Sequence, residues 1–290
     1  MQKPSFNSYA LVDSGNGRKL ERFGPFLLSR PCSQAVWAPT LSQQEWSNAD
    51  ATFLREGDTK WTFHNPKASA TWNIEVSNIT FQISPTDFGH LGIFPEQRDF
   101  WSWAQTKINQ AKAQRSTPIN VLNLFAYSGG STLAAARAGA QVCHLDASKG
   151  MVDWARENAL LNKLEHSPIR WIVDDVRKFL ARELRREKRY DAIILDPPSF
   201  GRGSKGEIFK IEEALIELLQ QCKALLTEKP LFVMLSCHTP GYTPVAMHHL
   251  MTQMMHDYKG NISSGEMVLT GDPHVLSLPS GTFARWSHDG

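Results

Sequence analysis

The chain has 290 residues, 41% of them hydrophobic and 21% charged, with a formal net charge of +2. That balance excludes a disordered or collagen-like chain, and no apolar run approaches the roughly 18 residues of a membrane span. The small net charge excludes a strongly basic, sequence-independent nucleic-acid binder, so any such contacts must be concentrated locally.

The start, "MQKPSFNSYALVDSGNG", lacks the basic and apolar segments of a secretory signal. The four cysteines, Cys32, Cys143, Cys222 and Cys237, make no CxxC pair and no metal-ligand spacing. They read as free thiols of a cytosolic protein, with no metal site expected.

Up to about residue 115, short apolar or alternating runs ("RFGPFLLSRP", "TKWTFHN", "ATWNIEVSNITFQIS") are broken by Gly, Pro, Asn and Asp. This predicts a small antiparallel β unit over 1–115. Six of the nine tryptophans fall here (Trp37, Trp46, Trp61, Trp72, Trp101, Trp103) and read as a compact aromatic core. "PEQRDFWSWAQTKINQAKAQR" reads as a helix closing the region.

From Pro118 onward, apolar strands alternate with helices. "INVLNLF", "QVCHLDAS", "IRWIVDD", "YDAIILDPP" and "LFVMLSC" are the strands, and "GGSTLAAARAGA", with a Ser/Thr start, opens the set of helices. This is the pattern of a parallel sheet. "GEMVLTG" and "HVLSLPSGTFARW" then read as an antiparallel hairpin. The expected fold is α/β: a Rossmann-like, mostly parallel sheet over 116–290 with an antiparallel C-terminal hairpin, plus the N-terminal β unit.

Ligands of open α/β sheets bind at the carboxyl ends of the strands. The loop "FAYSGGS" after the first strand brings Phe125, Tyr127, Ser128 and Gly129 there, ahead of a helix N-terminus suited to an anion. It is not GxGxxG, which argues against a dinucleotide and against an NAD-dependent dehydrogenase. Asp146 ends the second strand, 17 residues past Gly129, where a carboxylate accepts ribose hydroxyls. Asp174 and Asp175 end the third, placed to accept an adenine amino group. Each acid alone also reads as a helix cap. Together they suggest a nucleoside with a small anionic tail, as in S-adenosylmethionine.

"VLNLFAYSGG", "HLDAS", "VDDV" and "ILDPPSFGR" resemble the successive motifs of class I S-adenosylmethionine-dependent methyltransferases. Within that class the chain resembles the bacterial 23S rRNA cytosine-C5 enzymes and their uncharacterised relatives, over about residues 85–240. "HLGIFPEQR" is similar to a segment that forms part of the cofactor pocket in that subgroup. The resemblance implies that Gln97, Arg98, Phe125, Tyr127, Asp146, Asp175 and Asp196 surround the cofactor, with Arg98 pairing its carboxylate. No counterpart of the subgroup's PUA domain is expected in a chain of this length.

"DPPSF" ends the fourth strand. Pro197 and Pro198 cannot continue a ladder, so the turn holds Asp196 where methyl transfer occurs and presents Phe200 to a base. It also reads as a purely structural turn. Cytosine C5 methylation needs a thiolate to add to C6. Cys237, at the end of the fifth strand, is the candidate nucleophile, with His238 to assist it. Cys237 reads equally as a core thiol, and an exocyclic amine, a guanine nitrogen or a small molecule as acceptor needs no thiol. The basic run Arg177 to Arg189 reads as a solvated helix face. Arg202 and Lys205, in the loop "GRGSKG" after the reactive turn, are candidates for RNA phosphates. The expected activity is methylation of an RNA base; the non-enzymatic alternative is a cofactor-binding RNA interaction module.

Overall fold

In a computed structural model, residues 8–55, 60–202, 206 and 208–288 are described. The chain forms two compact units, one of Met1–Arg98 and Met267–Ser280, the other of Asp99–Glu266 and Gly281–Gly290.

The first unit holds β1 (Tyr9–Gly15), β2 (Arg18–Phe23), β3 (Phe26–Pro31), the short helix α1 (Gln43–Trp46), β4 (Ala51–Leu54), β5 (Lys60–Phe63), β6 (Trp72–Val76) and β7 (Ile79–Ile83). Strands β1 to β5 make one sheet in chain order, and β6 and β7 a separate hairpin. Asn16 and Gly17, at φ 50° and 72°, close the β1–β2 hairpin, and Ser77 and Asn78 do the same for β6–β7, as two-residue hairpin loops require. One pairing departs from the antiparallel expectation: β3 and β4 run parallel, with Leu28 opposite Ala51. Parallel neighbours need a crossover connection, and residues 32–50, carrying α1, supply it.

The aromatic-core expectation is corrected. The core of this unit is Leu11, Leu20, Phe23, Leu28, Phe53, Ile74, Ile79, Phe81 and Ile83. Trp37, Trp46, Trp61 and Trp72 are only half-buried. Each donates its indole N–H, to Ser14 O, Asp13 Oδ2, Thr86 O and Phe23 O respectively. An indole carries a donor that an apolar interior leaves unpaired, so these rings latch the rim of the unit instead.

The second unit begins with α2 (Arg98–Gln114), read from the sequence as closing the first. It continues through β8 (Asn120–Leu124), α3 (Gly130–Arg137), β9 (Gln141–Asp146), α4 (Lys149–Leu161), β10 (Ile169–Val173), α5 (Val176–Arg185) and β11 (Ala192–Leu195). Then come β12 (Phe200–Arg202), β13 (Ile208–Lys210), α6 (Ile211–Ala224), β14 (Phe232–Cys237), α7 (Pro244–Met255), β15 (Asn261–Leu269) and β16 (Leu278–Ser287).

The seven-stranded sheet has the order β10-β9-β8-β11-β14-β16-β15. Strands β10, β9, β8, β11 and β14 are parallel, and β16 joins β14 antiparallel. The chain winds outward from β8 and returns at β11, so the topological switch lies between these two central strands. The central strands β8, β11 and β14 are buried almost end to end, as expected of parallel strands covered on both faces.

Two local expectations change. Helix α3 has no Ser/Thr cap: its N-cap is Gly129 at φ 94°, because the chain enters the helix through a left-handed turn. After the Pro-Pro turn, Phe200–Arg202 and Ile208–Lys210 pair antiparallel as β12 and β13, where a loop running directly into a helix was expected.

Gly130, the first residue of α3, sits against the buried ring of Trp101 from α2, and a Cβ there would lie 2.6 Å from Trp101 Cζ2. Gly130→Ala is expected to cost about 1–3 kcal/mol by overpacking, read as a lowered denaturation midpoint in urea.

Candidate active site

The loop after β8 is strained. Phe125, Tyr127 and Gly129 have φ values of 57°, 50° and 94°, a left-handed conformation that costs about 1–3 kcal/mol at a non-glycine residue. Such a loop persists only when its surroundings dictate it.

Asp146, at the end of β9, supplies the main hold. Its Oδ2 accepts the Tyr127 N–H and its Oδ1 the Ser148 N–H, both at 2.9 Å. From α4, Asn158 Nδ2 donates to Ser128 O at 2.9 Å. The Ala126 N–H bonds Leu145 O at 3.0 Å. A Cβ on Gly129 would come within 3.1 Å of Ala155 Cβ, so the loop lies close on α4.

Beneath it, Asn123 Nδ2 donates to Thr132 Oγ1, which also bonds His144 Nδ1, each at 2.9 Å. Burial holds this imidazole neutral, its pKa pushed down to about 3. Burial pushes the Asp146 carboxyl above the ordinary aspartate range, while the Ser148, Tyr127 and Ala147 amides pull it back. Three amides on about four lone-pair sites leave this carboxylate room for a further donor.

Asp175 is the N-cap of α5. Its Oδ1 accepts the Arg177 and Lys178 amides at 3.1 and 3.2 Å. Asp174 is paired with Arg182.

The ends of β11 and β14 lie side by side. These strands are in register with Leu195 opposite Leu235, which carries Asp196 beside Ser236. Ser236 Oγ donates to Asp196 Oδ1 at 2.7 Å, and His238 Nε2 lies 3.7 Å from the same oxygen. Ser199 and Thr239 join the two strand ends through their hydroxyls at 2.7 Å.

Successive strand residues face opposite sides, so Cys237 turns the other way. It is 1% exposed and belongs to the core cluster with Met247, Met251 and Phe209. Burial pushes its thiol up; Asp196 and Glu212 add to the rise, and the Thr239 amide, donating to Sγ at 3.4 Å, opposes it. His238, expected to assist the thiol, has its Nε2 toward Asp196.

The second unit thus brings Phe125, Tyr127, Ser128, Gly129, Asp146, Asp175, Asp196, Pro197, Pro198, Phe200, Cys237 and His238 to the carboxyl ends of its strands or the turns that follow. Gln97 and Arg98 belong to the first unit, where Arg98 bonds Thr270 Oγ1. The side chain of Arg202 and all of Lys205 lie outside the described residues. Sequence reasoning missed Asn158, His144, Ser236 and Thr239. For Ser236 a signal existed: it sits one position before Cys237, and period-two alternation assigns the two to opposite faces.

The chain matches the family model "S-adenosylmethionine-dependent methyltransferase" over residues 28–237. It is 36% identical to a crystal structure of a SAM-dependent methyltransferase from Agrobacterium tumefaciens, with a TM-score of 0.91 over 100% of this chain and 98% of that one. It is 34% identical to ribosomal RNA large subunit methyltransferase I of Escherichia coli, over 69% of this chain and 53% of that protein. To methyltransferase K/L of Syntrophotalea carbinolica it is 30% identical, over 56% of this chain and 21% of that protein. The chain therefore spans between a fifth and about half of these curated relatives.

Asp146→Asn leaves one acceptor for two amides and sets an NH2 against an N–H. It is expected to cost about 1–3 kcal/mol of stability and to weaken S-adenosylhomocysteine binding at least about tenfold by calorimetry. Because the folded-state pKa of Asp146 is raised, the folded protein takes up this proton more readily than the unfolded chain. This group's contribution to stability therefore falls as pH rises from the unfolded value, about 3.9, through its raised folded value. Cofactor affinity is expected to run the opposite way, dropping as acid protonates the carboxylate.

Proposed function

Because the chain belongs to the S-adenosylmethionine-dependent methyltransferase family, we propose that this enzyme methylates a base of ribosomal RNA, at a nitrogen. The curated relatives named as ribosomal RNA large subunit methyltransferases support the RNA. The residues at hand fit the cofactor: a loop leading into a helix N-terminus, and a part-buried strand-end carboxylate with room for a further donor, suit a ribose and a small anionic tail. When bound, S-adenosylmethionine supplies an electrophilic methyl group.

The observation that carries the nitrogen reading is the division of the β14 end: Ser236 and His238 with Asp196 on one side, the Cys237 thiol in the core on the other. In this reading Asp196 accepts a hydrogen bond from an acceptor N–H, which orients the nitrogen lone pair, and takes up the proton lost as the methyl–nitrogen bond forms. Ser236 holds that carboxylate by its hydrogen bond. The rigid Pro197-Pro198 turn sets its position, and Phe200, 52% exposed, stacks on the base. Arg202 and Lys205 remain candidates for phosphates, and Gln97 and Arg98 for the cofactor on the resemblance alone.

A second reading keeps cytosine C5 as the acceptor, with Cys237 adding to C6. It is supported by the position of Cys237 at the end of the strand beside β11. It requires the side chain to leave the core and ionise from a raised pKa.

Incubating the protein with labelled cofactor and ribosomal RNA from a deletion strain, followed by nucleoside mass spectrometry, is expected to show label on a base nitrogen; cofactor binding without turnover on any RNA pool overturns the proposal. Asp196→Asn is expected to lower turnover about 10²–10⁴-fold. Cys237→Ala is expected to keep turnover within about threefold of wild type, whereas loss of turnover in a folded variant selects the C5 reading.

A further inference from the structure

The β12–β13 hairpin follows directly on Asp196, Pro197, Pro198 and Ser199, and two tethers hold it. Phe209, 5% exposed, packs its ring on Phe125 of the strained loop, with centroids 5.1 Å apart and planes at 58°. From α5, Arg177 Nη2 donates to the Ile208 carbonyl at 3.0 Å. Arg177 is also bound to Asp175: its amide donates to Oδ1 and its Nε lies 3.8 Å from that oxygen. One tether therefore ends on the loop after β8 and the other on the strand-end acid of β10. The outward side chains Phe200 and Ile208 are 52% and 50% exposed. Phe125 is a non-glycine residue at φ 57°, so its conformation depends on neighbours that fill the space around it. Phe209 is one of them.

We propose that the β12–β13 hairpin couples the acceptor side of the site to the cofactor side, with Phe209 and Arg177 as its positioning residues. The proposal rests on the reading above, in which the cofactor lies on the loop after β8 and the acceptor beside the hairpin. The hairpin, seated by Phe209, favours the left-handed form of Phe125; that loop in turn seats the hairpin. Coupling of this kind is reciprocal: an acceptor that braces the hairpin against its tethers tightens cofactor binding, and bound cofactor tightens acceptor binding by the same factor.

Calorimetric titration of the full chain with S-adenosylhomocysteine, without RNA, tests this. Phe209→Ala and Arg177→Ala are each expected to weaken binding by about 5- to 10-fold. Phe209→Leu, which keeps an apolar filling, is expected to return to within about threefold of wild type. Ile208→Ala keeps the carbonyl and trims an exposed side chain, and is expected to stay within about twofold. Since both tethers act on one hairpin, the Phe209→Ala/Arg177→Ala double variant is expected to lose less than the product of the single losses. Arg177 is 42% exposed, so its variant decides the matter even if Phe209→Ala does not fold. Wild-type affinity in both single variants overturns the proposal, as does an Ile208→Ala loss equal to that of Phe209→Ala. Absence of turnover on RNA overturns the acceptor reading and leaves the variant affinities to decide the coupling; failure of wild type to bind S-adenosylhomocysteine overturns both.

Discussion

The carboxylate of Asp146 is the group on which the loop after β8 depends. A loop with two non-glycine residues in left-handed backbone has no reason of its own to adopt that shape. It does so because Asp146 Oδ2 draws in the Tyr127 amide while Oδ1 fixes the Ser148 amide at the start of α4. One part-buried side chain thus shapes the turn into α3 and the turn into α4 together. Asn158, Ala155 and the Asn123–Thr132–His144 chain of hydrogen bonds complete the floor. The carboxylate is costly to bury, which is why its pKa is raised, and that cost is offset by the backbone amides it satisfies.

The acceptor side obeys a different constraint, the two-residue period of a strand. Parallel register sets Leu195 against Leu235, and every later residue follows. Asp196 meets Ser236; Cys237 falls on the opposite face, among methionines and leucines. A single step along β14 separates the Ser236–Asp196 hydrogen bond from a thiol packed in the apolar cluster, and the Thr239 amide donates to that thiol. No local property of the cysteine decides this, because Cys is at home in either setting.

Between the two sides stands the β12–β13 hairpin. It fastens to the cofactor loop by an aromatic contact and to α5 by a charged donor on a backbone carbonyl. The Pro-Pro turn before it removes two backbone donors and fixes φ at two residues, which narrows the directions in which the hairpin can leave the sheet.

The alternation of apolar strands with helices was legible in the sequence because parallel strands buried on both faces are predominantly apolar. The acids at the strand ends and the Pro-Pro turn were legible because their types are poor choices inside a strand. What sequence alone determined is therefore the α/β sheet, its C-terminal hairpin, and the presence of the loop and acids at the carboxyl ends of its strands. The tertiary structure decided the rest. Tryptophans expected in a core proved to be half-buried latches, since each indole N–H needs an acceptor that only the folded chain supplies. The parallel β3–β4 pair depended on where a nineteen-residue connection, 32–50, returns. The role of "LSCHTPG" depended on strand register, a relation between residues some forty positions apart. Local patterning specifies which elements form; which side chains meet is settled only when those elements pack.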